Sequence, residues 1–330
     1  MKFASRSFFT LLLVLSTSTG FAWDGTGHRL TAAVALHFLD NETRQELITI
    51  LSNHPRYQED FLDAIPNFID RSDNEELTQW LLGQAAYWPD IARGLPDAER
   101  ERFNRPAWHY IDGAWVRGAA DEQGNVYIGI DPFADVSGPA ATSIDSENDV
   151  DNVVSALDYN TRIFADPSQA GTNRAVALCW VLHLMGDIHQ PLHTGSLFSE
   201  HVFASGDRGG NAIAVDGSNL HAVWDQAMRQ EGFLASLPAI LNDLDNLTLP
   251  ENRRNADWTQ WMQESREILH ASVYPDSMRA AILSADRANS DLPEQALGNE
   301  YRQTMERISR IRLGLSGYRL AGWFQEVLAK

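Results

Sequence analysis

The amino-acid sequence predicts an all-α protein: a single, mostly helical domain with long loops and one short hairpin. Three observations carry that expectation. Apolar residues recur three and four apart through most of the chain, strand-like alternation is nearly absent, and the stretches between periodic segments are rich in Gly, Asp, Ser and Pro. In order, the periodic segments begin with "GHRLTAAVALHFL" (27–39), where Leu30, Val34 and Phe38 are four apart. "NETRQELITIL" (41–51) repeats the pattern through Leu47, Ile50 and Leu51, and "NVVSALDYNTRIF" (152–164) through Val153, Leu157 and Phe164. "NRAVALCWVLHLMGDIH" (173–189) is apolar nearly throughout. "LHAVWDQAMRQ" (220–230), "WTQWMQESREILHASVY" (258–274) and "YRQTMERISRIRLGLSGYRLAGWFQEVLA" (301–329) complete the set. "NVYIGI" (125–130) and "NAIAV" (211–215) are the two short candidates for a hairpin. The loops 131–147 and 194–219 crowd one side of the bundle, which is where a site would be built.

Residues 1–22 read as a removable signal peptide: Lys2 and Arg6, the apolar run "FFTLLLVLS", then "GFA" before a cut ahead of Trp23. That run is too short to span a membrane, and no other stretch is long and apolar enough. The expected product is one domain, residues 23–330, secreted or periplasmic, with no membrane partner and no obligate protein partner. Its single cysteine, Cys179, lies in an apolar run, so no internal disulfide forms and a buried, inert thiol is expected. The formal charge is −19, and removal of Lys2 and Arg6 makes it more negative still. Such a surface argues against broad electrostatic capture of duplex nucleic acid. Any phosphate must be gripped locally, by something strongly positive that the side-chain count omits; bound metal fits.

The densest chemistry is "HLMGDIHQPLH" (183–193). His183 and Asp187 are four apart on a helix, hence on one face and able to hold one ion. Pro191 ends the helix and His193 follows in the turn. "LHAVWD" repeats the device with His221 and Asp225 at the same spacing. Nitrogen and carboxylate ligands of this kind suit divalent zinc. Upstream, "YWPDIAR" offers Asp90 and Arg93, and "AWHYID" offers His109 and Asp112. Alone, either would be structural.

Taken in order, "WDGTGH", "WPDIAR", "WHYID", "HLMGDIHQPLH", "GGN" and "NLHAVWD" resemble the zinc-dependent single-strand nucleases with 3′-nucleotidase activity, the class I nucleases of plants and fungi and their bacterial relatives. The resemblance runs from Trp23 to "GYRLAGWF" in the last helix. It implies the helical fold shared by these nucleases and zinc phospholipase C, and three Zn2+ ions. One is held by Asp90, His109, His183 and Asp187; a second by His193, His221 and Asp225. The third takes His28, shares Asp187, and is chelated by the α-amino nitrogen and carbonyl oxygen of Trp23. An α-amino group titrates at about 7.7–8.0, so a metal displaces its proton near neutrality, whereas a peptide nitrogen does not ligate in this way.

By the same resemblance Asp90 orients the attacking water and Arg93 contacts the phosphoryl group. Tyr110 stacks on a base, while Asp112 and Asn211 bond its edge. The implied substrates are single-stranded DNA and RNA, cut to 5′-phosphorylated products, and 3′-mononucleotides, cut to nucleosides and phosphate. The loop "TGSLFSEHVFASGDRGG" (194–210) is longer than the family pattern, and Arg208 stands where a small apolar residue often flanks the base. Two other readings are kept in view: a zinc phospholipase C on the same fold, and a non-catalytic periplasmic zinc-binding protein.

Overall fold

A computed structural model describes residues 23–111, 115–116, 119–120, 124–132, 144, 146–229, 232–249 and 257–329. The expected signal segment, residues 1–22, and Asp112 lie outside the described residues. Among those described, helices dominate: α1 (Gly25–Phe38), α2 (Asn41–Leu51), α3 (Asn74–Ile91), α4 (Asp97–Phe103), α5 (Val153–Ala165), α6 (Gly171–Asp187), α7 (Leu220–Asp225), α8 (Phe233–Asp245), α9 (Trp258–Ile268), α10 (Asp276–Ala288) and α11 (Asn299–Val327). None is long and apolar enough to cross a membrane.

Acidic and amide side chains start several of these helices by accepting from their first free N–H groups. Asp24 takes those of Thr26 and Gly27 at the head of α1, Asp73 those of Glu75 and Glu76 on α3, and Asn152 those of Val154 and Ser155 on α5. Helices α3, α4, α8 and α10 fall outside the segments that periodicity singles out. Gly83 and Pro89 interrupt the pattern of α3, Pro238 that of α8, and α4 has one buried residue in seven.

Strand content among the described residues is minimal; the second candidate enters a short hairpin as expected, while the first pairs elsewhere. Val126–Ile128 of the first candidate pairs in parallel with Leu197–Ser199, at the start of the long loop. Ala214–Val215 of the second turns back on Ser218–Asn219. "DG" between that last pair, with Asp216 and Gly217 both at positive φ, makes the tight turn.

Two apolar clusters form the core. One gathers Leu47, Phe61, Trp88, Leu157, Leu178, Trp180 and their neighbours; the other gathers Trp23, Leu192, Ile213, Trp224, Ile240 and Met278. Helix α1 separates them and feeds both, with Ala32, Ala35 and Leu36 on one side and Leu30 and Val34 on the other. It packs on α3, α6, α8 and α11, so its sequence is small and apolar nearly all round. α6 is buried from Ala177 to Asp187 for the same reason, and Cys179 is buried within it, its thiol pushed up by desolvation.

The α1–α11 contact is close enough to require glycine: a Cβ on Gly317 would stand 2.5 Å from Val34 Cβ and 2.7 Å from Thr31 O. Gly317→Ala should therefore lower stability by about 1–3 kcal/mol through overpacking, read as a fall in denaturant midpoint. His54 supplies a pH handle away from the loops. It is buried against Trp88, Phe61 and Phe103, and burial lowers its pKa to about 3. The unfolded chain takes up this proton near 6.5, so the stabilisation is complete above about pH 6.5 and is lost as pH falls toward about 3. Denaturation of wild type and His54→Gln between these limits should show a shallower acid loss in the variant; parallel curves would count against it.

Candidate metal centre

The end of α6 builds the site. His183 and Asp187, one turn apart, put Nε2 and Oδ2 3.2 Å from each other. His109, at the end of the turn Pro106–His109, brings Nδ1 to 2.9 Å from His183 Nε2 and 3.2 Å from Asp187 Oδ2. A tetrahedral ion with bonds of about 2.0–2.1 Å needs ligand atoms about 3.3–3.4 Å apart. The two 3.2 Å sides come near that spacing, and the 2.9 Å side between His109 and His183 would have to open slightly to admit zinc. Asp90 enters from the last turn of α3 and His28 from α1, where the His28 ring stacks on His183 at 3.7 Å. His28 Nε2 is also 3.6 Å from Asp187 Oδ1.

On the other side, the turn Pro191–His193 and the short helix α7 bring His193, His221 and Asp225 together. His221 Nε2 lies 3.2 Å from Asp225 Oδ2, and His193 Nε2 4.0 Å from Asp225 Oδ1. Three groups thus converge: His28, Asp90 and His183; His109, His183 and Asp187; and His193, His221 and Asp225. His183 belongs to two of them. Asp187 reaches four of the five imidazoles, those of His28, His109, His183 and His193, the last through Oδ1 at 3.7 Å from His193 Nδ1.

Backbone carbonyls choose which ring nitrogen faces inward. His183 Nδ1 donates to Ala86 O at 2.8 Å, His193 Nδ1 to His109 O at 2.6 Å and His221 Nδ1 to Gly209 O at 2.6 Å. Each Nε2 is left as a lone-pair donor toward the centre. The Gly209 carbonyl is delivered by the long loop, in a conformation open to glycine: φ is +58°, and a Cβ there would meet Leu192 O at 2.4 Å. Two aspartates fasten that loop. Asp207 accepts from the N–H groups of Leu197 and Gly210 and from Tyr274 Oη. Asp286 accepts from Ser199 Oγ and the N–H groups of Glu200, His201 and Val202.

The eight ligand-type side chains are all buried. Both oxygens of Asp90, both nitrogens of His28, His109 Nε2, His193 Nε2, Asp187 Oδ1 and Asp225 Oδ2 have no hydrogen-bond partner. Desolvation pushes Asp187 up to about 6 and raises Asp90 and Asp225, while it lowers His28, His109 and His193. His183 is the exception: its own desolvation, which lowers it, is outweighed by Asp187 beside it, and it is raised. Carboxylates and imidazoles held together without water are the donor set a divalent cation satisfies. The ion pair between Arg93 Nη2 and Asp90 Oδ1 at 2.9 Å supplies one positive group, and the arginine side chain reaches toward the surface.

The remaining expected residues surround this centre. Trp23 is fully buried; its Nε1 donates to Gly186 O at 3.0 Å, and both it and His28 pack over Gly186. The Asp24 N–H donates to Asp225 O at 3.1 Å, which ties the start of α1 to α7. Tyr110 is 43 % exposed, with its carbonyl held by the Val153 N–H. Asn211 folds its side-chain amide back on Arg208 O.

Comparison with known proteins agrees with this geometry. The S1/P1 Nuclease family profile matches residues 23–329. The chain belongs to the S1/P1 nuclease family. It is similar to Nuclease S1 of Aspergillus oryzae, 24 % identical over 94 % of this chain and 93 % of that protein, and to Nuclease P1 of Penicillium citrinum, 24 % identical over 92 % and 97 %. Endonuclease 5 of Arabidopsis thaliana is 32 % identical over 48 % of this chain and 52 % of its own. The nuclease is therefore a hydrolase of nucleic acid, with three His/Asp groups disposed to bind metal.

Sequence reasoning does not reach the supports behind this nuclease's α6. Arg312 donates to His189 O, Trp261 O and Ser265 Oγ; Ser265 Oγ donates to Ile188 O and Ser316 Oγ to Met185 O. Glu264 joins Arg312 and Arg319, and Arg319 Nη1 donates to His189 Nε2. The carbonyls that α6 leaves free at its end are thus satisfied by α9 and α11, and the ligands it carries are held in place. The only signal in the sequence was the adjacency of His189 to the ligands. Removing one member strands two nearly buried guanidinium groups: Glu264→Ala should lose about 3–5 kcal/mol of stability, measured by chemical denaturation.

Proposed function

We propose that the nuclease is exported, is trimmed before Trp23, and binds three Zn2+ ions to hydrolyse single-stranded DNA and RNA and 3′-mononucleotides. The observation that carries this reading is the convergence of five imidazoles and three carboxylates in three groups, two sharing His183 and the third adjoining them where Asp187 meets His193. Two facts support Trp23 as the first residue. The family match begins there, and its ring is seated on the glycine beside Asp187, one packing layer from His28. In this assignment Asp90, His109, His183 and Asp187 hold one ion, and His193, His221 and Asp225 a second. Trp23, His28 and Asp187 hold the third.

Bound zinc would supply Lewis acidity toward the phosphoryl group and toward the attacking and leaving oxygens. The chain's own residues do the rest. Asp90 accepts the hydrogen bond of the incoming water and aims it at phosphorus. Arg93, fixed by Asp90, donates charge-assisted hydrogen bonds to the phosphoryl oxygens. Water adds to phosphorus as the bond to the 3′-oxygen breaks. The proton water gives up passes by way of Asp90 to solvent, and the 3′-oxygen, leaving beside His193, His221 and Asp225, takes one from solvent to become a hydroxyl. Polymers give 5′-phosphorylated products and 3′-mononucleotides give nucleoside and phosphate.

Tyr110, exposed beside ligand His109, offers its ring to a base, with Asn211 and Asp112 at the base edge. Stacking of this kind contributes about 1–3 kcal/mol, tolerates any base and requires an unstacked one, hence single strands. The chain's acidity fits the same picture, since grip on phosphate comes from the centre and not from the surface.

The test is metal analysis of the chain starting at Trp23, together with cleavage of matched single- and double-stranded oligonucleotides and of 3′-AMP. Three zinc ions per chain, loss of activity on chelation and preference for the single strand are expected. Activity indifferent to chelation would refute the metal mechanism. One residue added before Trp23 should abolish most activity, and Tyr110→Ala should raise KM by roughly 5- to 150-fold.

A further inference from the structure

We propose that Gln190 is a positioning residue that makes Asp225 a single-oxygen ligand and thereby sets metal affinity at the His193, His221 and Asp225 group. The inference rests on the zinc reading above. The three carboxylates of the centre are held in different ways. Asp90 pairs only with Arg93, and its oxygens accept no hydrogen bond. Asp187 turns both oxygens to imidazoles. Asp225 alone is divided. Its Oδ1 accepts from Gln190 Nε2 at 2.7 Å, while its Oδ2, 3.2 Å from His221 Nε2, is buried without a hydrogen-bond partner.

The orientation of the Gln190 amide is not arbitrary. Its Oε1 accepts the Leu192 N–H at 2.6 Å, which leaves Nε2 as the end that meets Asp225. The side chain is fully buried, so water does not replace either contact. Its backbone completes the clamp: the Gln190 N–H donates to Asp187 O, and its carbonyl accepts from the His193 N–H. One residue therefore fixes the turn that carries His193, restrains the rotation of Asp225 and touches the other ligand group through Asp187. A carboxylate free to rotate would offer both oxygens to a cation and fill a position that substrate needs. With Oδ1 committed to an amide, one oxygen remains for the ion.

Gln190→Glu and Gln190→Met separate positioning from capping. The glutamate keeps an oxygen to accept the Leu192 N–H but loses the donor to Asp225; the methionine loses both. Each mature variant is loaded with zinc at about pH 9, because burial beside Asp225 raises the pKa of a glutamate at this position, and dialysed beside wild type. The readouts are zinc content and competition against a chelator. Both variants should release one ion per chain, or bind it about 10- to 100-fold more weakly, with added zinc restoring occupancy. Loss in Gln190→Met alone would overturn the proposal, since it would leave Gln190 only the cap of the turn. Wild-type retention in both would overturn it equally. Should Gln190→Met not fold, Gln190→Glu carries the comparison, because the cap is kept. Wild type that binds no zinc would instead refute the parent reading, and it is seen before any variant is examined.

Discussion

Placing three carboxylates and five imidazoles in one buried pocket is costly, because water is removed from groups that the surrounding protein leaves largely without hydrogen bonds. A desolvated carboxylate costs several kcal/mol unless an opposite charge lies beside it, and among the three carboxylates Arg93 pairs with Asp90. The raised carboxylates and lowered imidazoles show the same imbalance from the side of protonation. Divalent cations resolve it for all eight groups at once. The centre is therefore what the rest of the fold is built to hold, and also what requires the fold to be rigid around it.

That rigidity comes mostly from backbone. Ala86, His109 and Gly209 each present a carbonyl to the outer nitrogen of a histidine. Two of those carbonyls belong to segments that themselves carry site residues: α3 bears Asp90, and the turn at 106–109 bears His109. A shift in one ligand thus displaces the support of the next. The buried Arg312, Arg319 and Glu264 cluster acts one layer further out, where it satisfies the end of α6. Buried ion pairs are poor sources of net stability, so their value here lies in fixing the carbonyls of a helix whose last turn is functional.

Much of this was legible in residue spacing. His183 with Asp187, and His221 with Asp225, share helix faces as four-residue spacing requires, and the nearly unbroken apolar run around Cys179 is a helix buried on every side. The helix that carries Asp90 was not legible. Pro89 sits in its last turn, where the lost hydrogen bond is tolerated by tertiary packing that a sequence does not display. The partner of the first strand candidate was not legible for a related reason. "NVYIGI" and Leu197–Ser199 are seventy residues apart, and nothing local in either segment names the other as partner. The carbonyls that orient the histidines are silent in principle, since every residue type has one.

The acidity of the chain bears on how such an enzyme meets its substrate. A chain with a formal charge of −19 repels a polyanion at long range, which argues against broad electrostatic capture of a duplex. Attraction is confined to the pocket, where Arg93 and the cations that the ligand groups accommodate lie within reach of one phosphate. An exposed aromatic ring, Tyr110, is placed one residue from ligand His109. A duplex can offer a phosphate to this pocket but not an unstacked base, whereas a single strand can offer both from the same nucleotide. In the proposed reading, selection for single strands follows from a base held at Tyr110 while its phosphate is held at the centre. Because the Tyr110 carbonyl is tied to Val153 and the Ile111 N–H to His193 O, the backbone that carries His109 and His193 also fixes Tyr110.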